Sequence, residues 1–91
     1  MAGFLNVSDE DLYKIPRQVW LELKGNTVFA FKEKWSVTLS RAASIYYIGR
    51  NYLSLRLTSE DGKSYILSSD SRTEMEQWFL GIRKSASVFA E

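Results

Sequence analysis

Ser71-Arg72-Thr73-Glu74-Met75-Glu76-Gln77-Trp78-Phe79-Leu80-Gly81-Ile82-Arg83-Lys84 is the stretch in which the chain changes its period. Met75, Trp78, Phe79 and Ile82 recur at i, i+3, i+4 and i+7, which places them on one face of an α-helix. Ser71 and Glu74 have the Ser-x-x-Glu spacing of a capping box, in which the hydroxyl accepts an orphan amide of the first turn. Arg83 and Lys84 fall where positive charge suits the negative end of the helix dipole. These signals predict a helix over about residues 72–86. Its apolar stripe must lie on something, and everything upstream reads as β-structure.

Working back from Ser71, Ser64-Tyr65-Ile66-Leu67-Ser68 is a strand, reached through the turn Glu60-Asp61-Gly62, where Asp-Gly is a hairpin signal. Leu53, Leu55 and Leu57 alternate with Ser54, Arg56 and Thr58, the period of a half-buried strand. Gly49-Arg50-Asn51 separates it from Ser44-Ile45-Tyr46-Tyr47-Ile48. Ser36-Val37-Thr38-Leu39 is a fourth strand. Thr27-Val28-Phe29-Ala30-Phe31-Lys32 and Val19-Trp20-Leu21-Glu22-Leu23 flank Lys24-Gly25-Asn26, a hairpin with a short Gly-containing turn. Phe4-Leu5-Asn6-Val7 opens the chain, followed by the acidic Ser8-Asp9-Glu10-Asp11. Pro16, the single proline, stands just before the second strand, where its missing N–H does least harm. The fold class is mostly β with one C-terminal α-helix: seven short strands whose antiparallel hairpins form a curved sheet or two packed sheets, with the helix able to plug an open end.

Composition narrows the function. The 91 residues suffice for one domain and one core, so residues 1–91 read as a single unit. Aromatics make up 14% of the chain, which favours strands. With no Cys and no His, disulfides, thiolate metal sites, a Cys nucleophile and the commonest general base are all excluded. No metal, no cofactor and no enzymatic activity are expected. The acids cluster in two turns, Asp9-Glu10-Asp11 and Glu60-Asp61, without the spacing that separates an acid from a base. The termini carry no secretory signal pattern and no bilayer-length apolar run. Net charge is +1, which argues against a nucleic-acid surface, although Tyr46, Tyr47 and Tyr52 would give a single-strand-binding barrel its stacking rings.

The order of elements resembles the pleckstrin homology (PH) domain over nearly the whole chain. Gly3-Phe4-Leu5 is similar to the family's opening Gly-aromatic-Leu. Trp20 to Lys32 resembles its second and third strands, Asp61 to Leu67 its last hairpin, and Ser71 to Trp78 its helix, whose near-invariant Trp is Trp78 here. The resemblance, not the period, fixes the topology: it implies a seven-stranded curved antiparallel sheet or partly open barrel capped by the helix. Trp78 is assigned with Met75, Phe79, Ile82 and Trp20 to a structural set.

The resemblance implies a non-catalytic binding or adaptor module in a larger signalling or trafficking protein. It would be cytoplasmic, held at the inner face of a membrane and monomeric. Many domains of the family bind phosphoinositide headgroups between the loops joining strands one–two and three–four. Their motif has a Lys ending strand one and an Arg before the strand-two aromatic. Here Val7-Ser8 and Val19 stand at those places. The remaining cations, Lys14, Arg17, Lys32 and Lys34, form the candidate anion site, opposed by Asp9, Glu10 and Asp11. The site is expected to be degenerate, giving weak or unselective binding of anionic lipid headgroups. The alternative is a protein-interaction module without lipid binding. Leu12, Tyr13 and Ile15, apolar residues in the first loop, are candidates for membrane or partner contact, and Trp35 beside a turn is expected in the core. Phosphotyrosine-peptide and proline-rich-peptide binders share the scaffold. The first are longer, and no aromatic groove of the second kind is legible in the sequence.

Overall fold

The computed structural model describes residues 1–8, 16–31, 33, 35–40 and 43–88, with side chains to residue 85. The strands are β1 (Ala2–Ser8), β2 (Arg17–Lys24), β3 (Thr27–Ala30), β4 (Ser36–Thr38), β5 (Ser44–Ile48), β6 (Ser54–Thr58) and β7 (Ser64–Ser68), and the helix is α1 (Arg72–Val88). All pairings are antiparallel. They run in the order β4-β3-β2-β1-β7-β6-β5. β1 therefore joins an N-terminal meander to a C-terminal one, and β4 and β5 are edges of an unclosed sheet.

The phase of each strand decides what it buries. Leu5 and Val7 in β1, Val19 and Leu21 in β2, Val28 and Ala30 in β3, Leu55 and Leu57 in β6, and Tyr65 and Leu67 in β7 are all buried. With Val37, Leu39, Met75, Trp78 and Ile82 they form one cluster. Val37 lies in the edge strand β4 and Leu57 in β6, next to the opposite edge. They can share a core only if the sheet curls, so the predicted curvature is a consequence of the pattern.

The helix closes the curl. Met75 and Ile82 have no exposed surface, and Trp78 retains 2%. Trp78 Cζ2 lies 3.9 Å from where a Cβ on Gly3 would stand, so the indole packs under the start of β1. Phe79, half buried, meets the Tyr47 ring at 4.6 Å and fixes the helix on β5. The capping box is half made: Glu74 N–H donates to Ser71 Oγ at 3.2 Å, whereas Ser71 N–H donates to Ser69 Oγ at 3.0 Å in place of the Glu74 carboxylate. Two expectations change. The helix runs to Val88, so Arg83 and Lys84 do not lie in its last turn; Ser85-Ala86-Ser87 offers neither Gly nor Pro to stop it. β3 ends at Ala30, where the Glu33 N–H turns back to the Ala30 carbonyl at 3.2 Å.

Trp20 departs from the structural set. Val19 and Leu21 take the inner face, so the alternation of β2 turns Trp20 outward. It is half buried and lies in edge contact with Phe4 at 4.8 Å and 75°, outside the core cluster.

Candidate functional site

Three hairpin ends share one rim of the sheet. β1 leaves and β2 enters it at Ser8 and Arg17, β3 leaves and β4 enters it at Ala30 and Ser36, and β6 and β7 are joined there through residues 59–63. Arg17 Nη2 bonds Glu33 Oε1 at 3.3 Å, tying the first hairpin to the second. A cleft of about 410 Å³ lined by Trp35, Ser36, Thr38, Glu60, Asp61 and Lys63 joins the second to the third.

Arg17 is the one candidate cation among the described residues, and an acid of the facing loop is already on it. Lys14, Lys32 and Lys34 lie outside the described residues, as do Leu12, Tyr13 and Ile15. The β6–β7 turn adds two more acids to the rim. Asp61 accepts the Ser59 hydroxyl proton and the Lys63 N–H at 3.2 Å. These bonds, the Ser59 one foremost, hold its carboxyl below the ordinary aspartate range. Glu60 Oε2 accepts from Ser40 Oγ at 2.9 Å. Gly62, at φ +91°, supplies the left-handed residue of this turn. Trp35 takes a half-buried place, stacked on Tyr65 at 4.2 Å and 11° and packed against the core. Its indole N–H is buried with no acceptor among the described residues. The described part of the rim is thus charge-balanced to acidic, and Lys63 is its one cation beyond Arg17.

The C-terminal PH domain of pleckstrin matches with a TM-score of 0.81 over 94% of this chain and 95% of that one, at 11% identity. The chain has the pleckstrin homology fold. The PH domain of ArhGAP27 matches with a TM-score of 0.77 over 94% of this chain and 98% of that one, at 20% identity. The Slm1 PH domain, solved in complex with D-myo-inositol-4-phosphate, matches with a TM-score of 0.78 over 96% of this chain and 94% of that one, at 19% identity. No protein-family model and no curated protein matches the sequence. No helix among the described residues is long and apolar enough to cross a membrane.

Two features of this PH fold escaped the sequence reading. One is Glu33, whose carboxylate meets Arg17. The other is an aromatic row on the outer face. Phe4 is paired with Trp20 across β1 and β2, and the Phe31 N–H donates to the Trp20 carbonyl at 2.8 Å, so Phe4, Trp20 and Phe31 stand side by side. They line a groove of about 540 Å³ with Arg17, Glu22 and Glu33. An aromatic groove is therefore present where none was read. The signal was in the phase: each aromatic sits next to the buried aliphatics of its strand and so must face outward. The tyrosines proposed for base stacking are split by the same alternation. Tyr46 is half exposed, while Tyr47 turns inward onto Phe79.

Proposed function

We propose that this chain is a non-catalytic adaptor module of a larger signalling or trafficking protein, and that its phosphoinositide site is degenerate. It brings its parent to anionic membranes through weak, unselective attraction. Lys14, Lys32 and Lys34 supply the charge, with Arg17 contributing what Glu33 leaves. The ion pair between Arg17 and Glu33 carries this reading. A headgroup with several phosphates needs convergent cations to replace its water. Here the guanidinium is already matched by a carboxylate, and Glu60 and Asp61 stand on the same rim. The Slm1 PH domain, solved in complex with D-myo-inositol-4-phosphate, supports a phosphate-bearing headgroup as the ligand class. Each well-placed lysine would add about 1 kcal/mol toward an anionic leaflet. The domain works as a monomer at the cytoplasmic face of the membrane.

A second reading is favoured by the same ion pair together with the aromatic groove: a protein-interaction module that keeps the scaffold and has lost the phosphate site. Co-sedimentation with liposomes at low salt separates the two. Under the first reading, binding is measurable and disappears in the double variant Lys32→Glu, Lys34→Glu. Absence of binding even to liposomes rich in highly charged phosphoinositides would end the lipid reading.

A further inference from the structure

The outer face of β1, β2 and β3 carries chemistry that the rim does not use. Three large apolar side chains left in the open gather there: Phe4 is 55% exposed, Phe29 43% and Phe31 57%. Register places them together. Phe4 is paired with Trp20, and Glu22, two residues further along the same side of β2, is paired with Phe29. Trp20 stands half buried between Phe4 and Phe31. The sheet curls around the core on its other side, so this face is convex. Each of its strands has a partner on both sides. The face therefore presents side chains alone, with no open row of backbone amides and carbonyls. A segment that adds as an extra strand has nothing to pair with there, whereas lipid tolerates only surfaces whose backbone groups are already satisfied.

The face is charge-balanced, and its two ion pairs are arranged with a direction. The Glu22 and Glu33 side chains are 28% and 17% exposed, while their partners Lys24 and Arg17 are 72% and 63% exposed. Each carboxylate is tucked against the sheet beside its own cation, and the cations are the members that reach outward. Aromatic rings flanked by outward Lys and Arg are the side chains of a membrane interface. The rings sit at headgroup level, and the long cationic side chains lay their stems on apolar surface and carry their charge to the phosphates. Because the carboxylates are already paired, an anionic bilayer meets no bare negative charge. Arg17 also joins this face to the rim. It opens β2 at the rim and lines the aromatic groove together with Glu33.

We propose that this face is the apolar half of the membrane contact: Phe4, Trp20 and Phe31 enter the headgroup level of an anionic bilayer, and Arg17 and Lys24 meet its phosphates. The domain then lies on the bilayer by the outer face of β1–β3 and does not stand on the rim alone. This inference rests on the lipid reading of the rim and adds a contribution that salt does not screen. A protein partner would also use the rings, but the outward cations and the continuity with the rim favour the bilayer.

The test uses the ¹⁵N-labelled chain with nanodiscs of phosphatidylcholine and phosphatidylserine that carry a nitroxide-labelled lipid. Three indole N–H signals report three places: Trp20 the face, Trp35 the rim and Trp78 the core. The Trp20 signal should broaden most. In co-sedimentation with liposomes of the same lipids, Phe4→Gln with Phe31→Gln should weaken binding at least about fivefold, by the same factor at low and at raised salt. Both rings are exposed, so the dispersion of the spectrum should be unchanged. If the liposomes bind but Trp20 broadens no more than Trp78, or the double variant binds like the unaltered chain, the inference is overturned while the lipid chemistry of the rim stands, and the face is left to a protein partner. If no liposome binds, both readings fall. Shifts on this face that grow with protein concentration in the absence of lipid would assign it to a second copy and overturn the inference as well.

Discussion

Two tryptophans of opposite fate, Trp78 buried and Trp20 half buried, show how phase assigns work to a side chain. Trp78 is on the apolar stripe of α1 and fully packed, so Trp78→Ala leaves a cavity and should cost about 3–5 kcal/mol. Trp20 faces outward over Phe4, and Trp20→Ala should cost roughly 1 kcal/mol or less, the scale of one cross-strand pair. Urea unfolding of both variants, with unchanged m-values, measures the contrast. Asp61 makes a second prediction at this scale. Its carboxyl is held down by the Ser59 hydroxyl and the Lys63 amide, so its folded pKa lies below the unfolded one. The stabilisation is present above the ordinary aspartate range and is lost as pH falls through the lowered folded value. A carboxyl ¹³C titration should place the Asp61 midpoint below that of an unstructured aspartate, and Ser59→Ala should raise it.

Within α1, the cap and the reciprocal bond carry unequal weight. Ser71 accepts the Glu74 amide, so Ser71→Ala should cost about 0.5–2 kcal/mol. The Glu74 carboxylate makes no return bond to the Ser71 amide, which Ser69 takes instead. Glu74→Gln should therefore cost only the dipole contribution, about 0.3–1 kcal/mol; thermal unfolding of the two variants ranks them. The elements themselves were legible because each has an unmistakable period: two in Leu53 to Thr58, near 3.6 in Met75 to Ile82. What the period could not supply was termination. Nothing after Lys84 stops a helix, and nothing before Lys32 announces that β3 ends at Ala30 and turns at Phe31.

For the whole molecule, the topology followed from the order of hairpins and helix taken with the family resemblance, and the curl from the need of both meanders to bury their aliphatic faces together. The rim was legible only in part. The loss of the motif cations, with Val7 and Val19 in their places, is visible in the sequence because the motif is local. The Arg17–Glu33 pair joins two hairpins through space, and no spacing rule encodes it. The aromatic row lies between these cases. Its members are visible one by one, and their adjacency exists only once Phe4 is registered on Trp20 and Phe31 beside it.

The degenerate rim makes a claim about selectivity that binding alone does not address. Liposomes of equal surface charge, one set carrying phosphatidylserine and the other phosphoinositides, isolate it. Affinities within about tenfold of each other, both falling together as salt screens the lysines, are the expected result. A preference of about a hundredfold or more for one phosphoinositide at matched charge, competed away by the soluble inositol phosphate, would contradict it and restore a specific headgroup pocket to this rim.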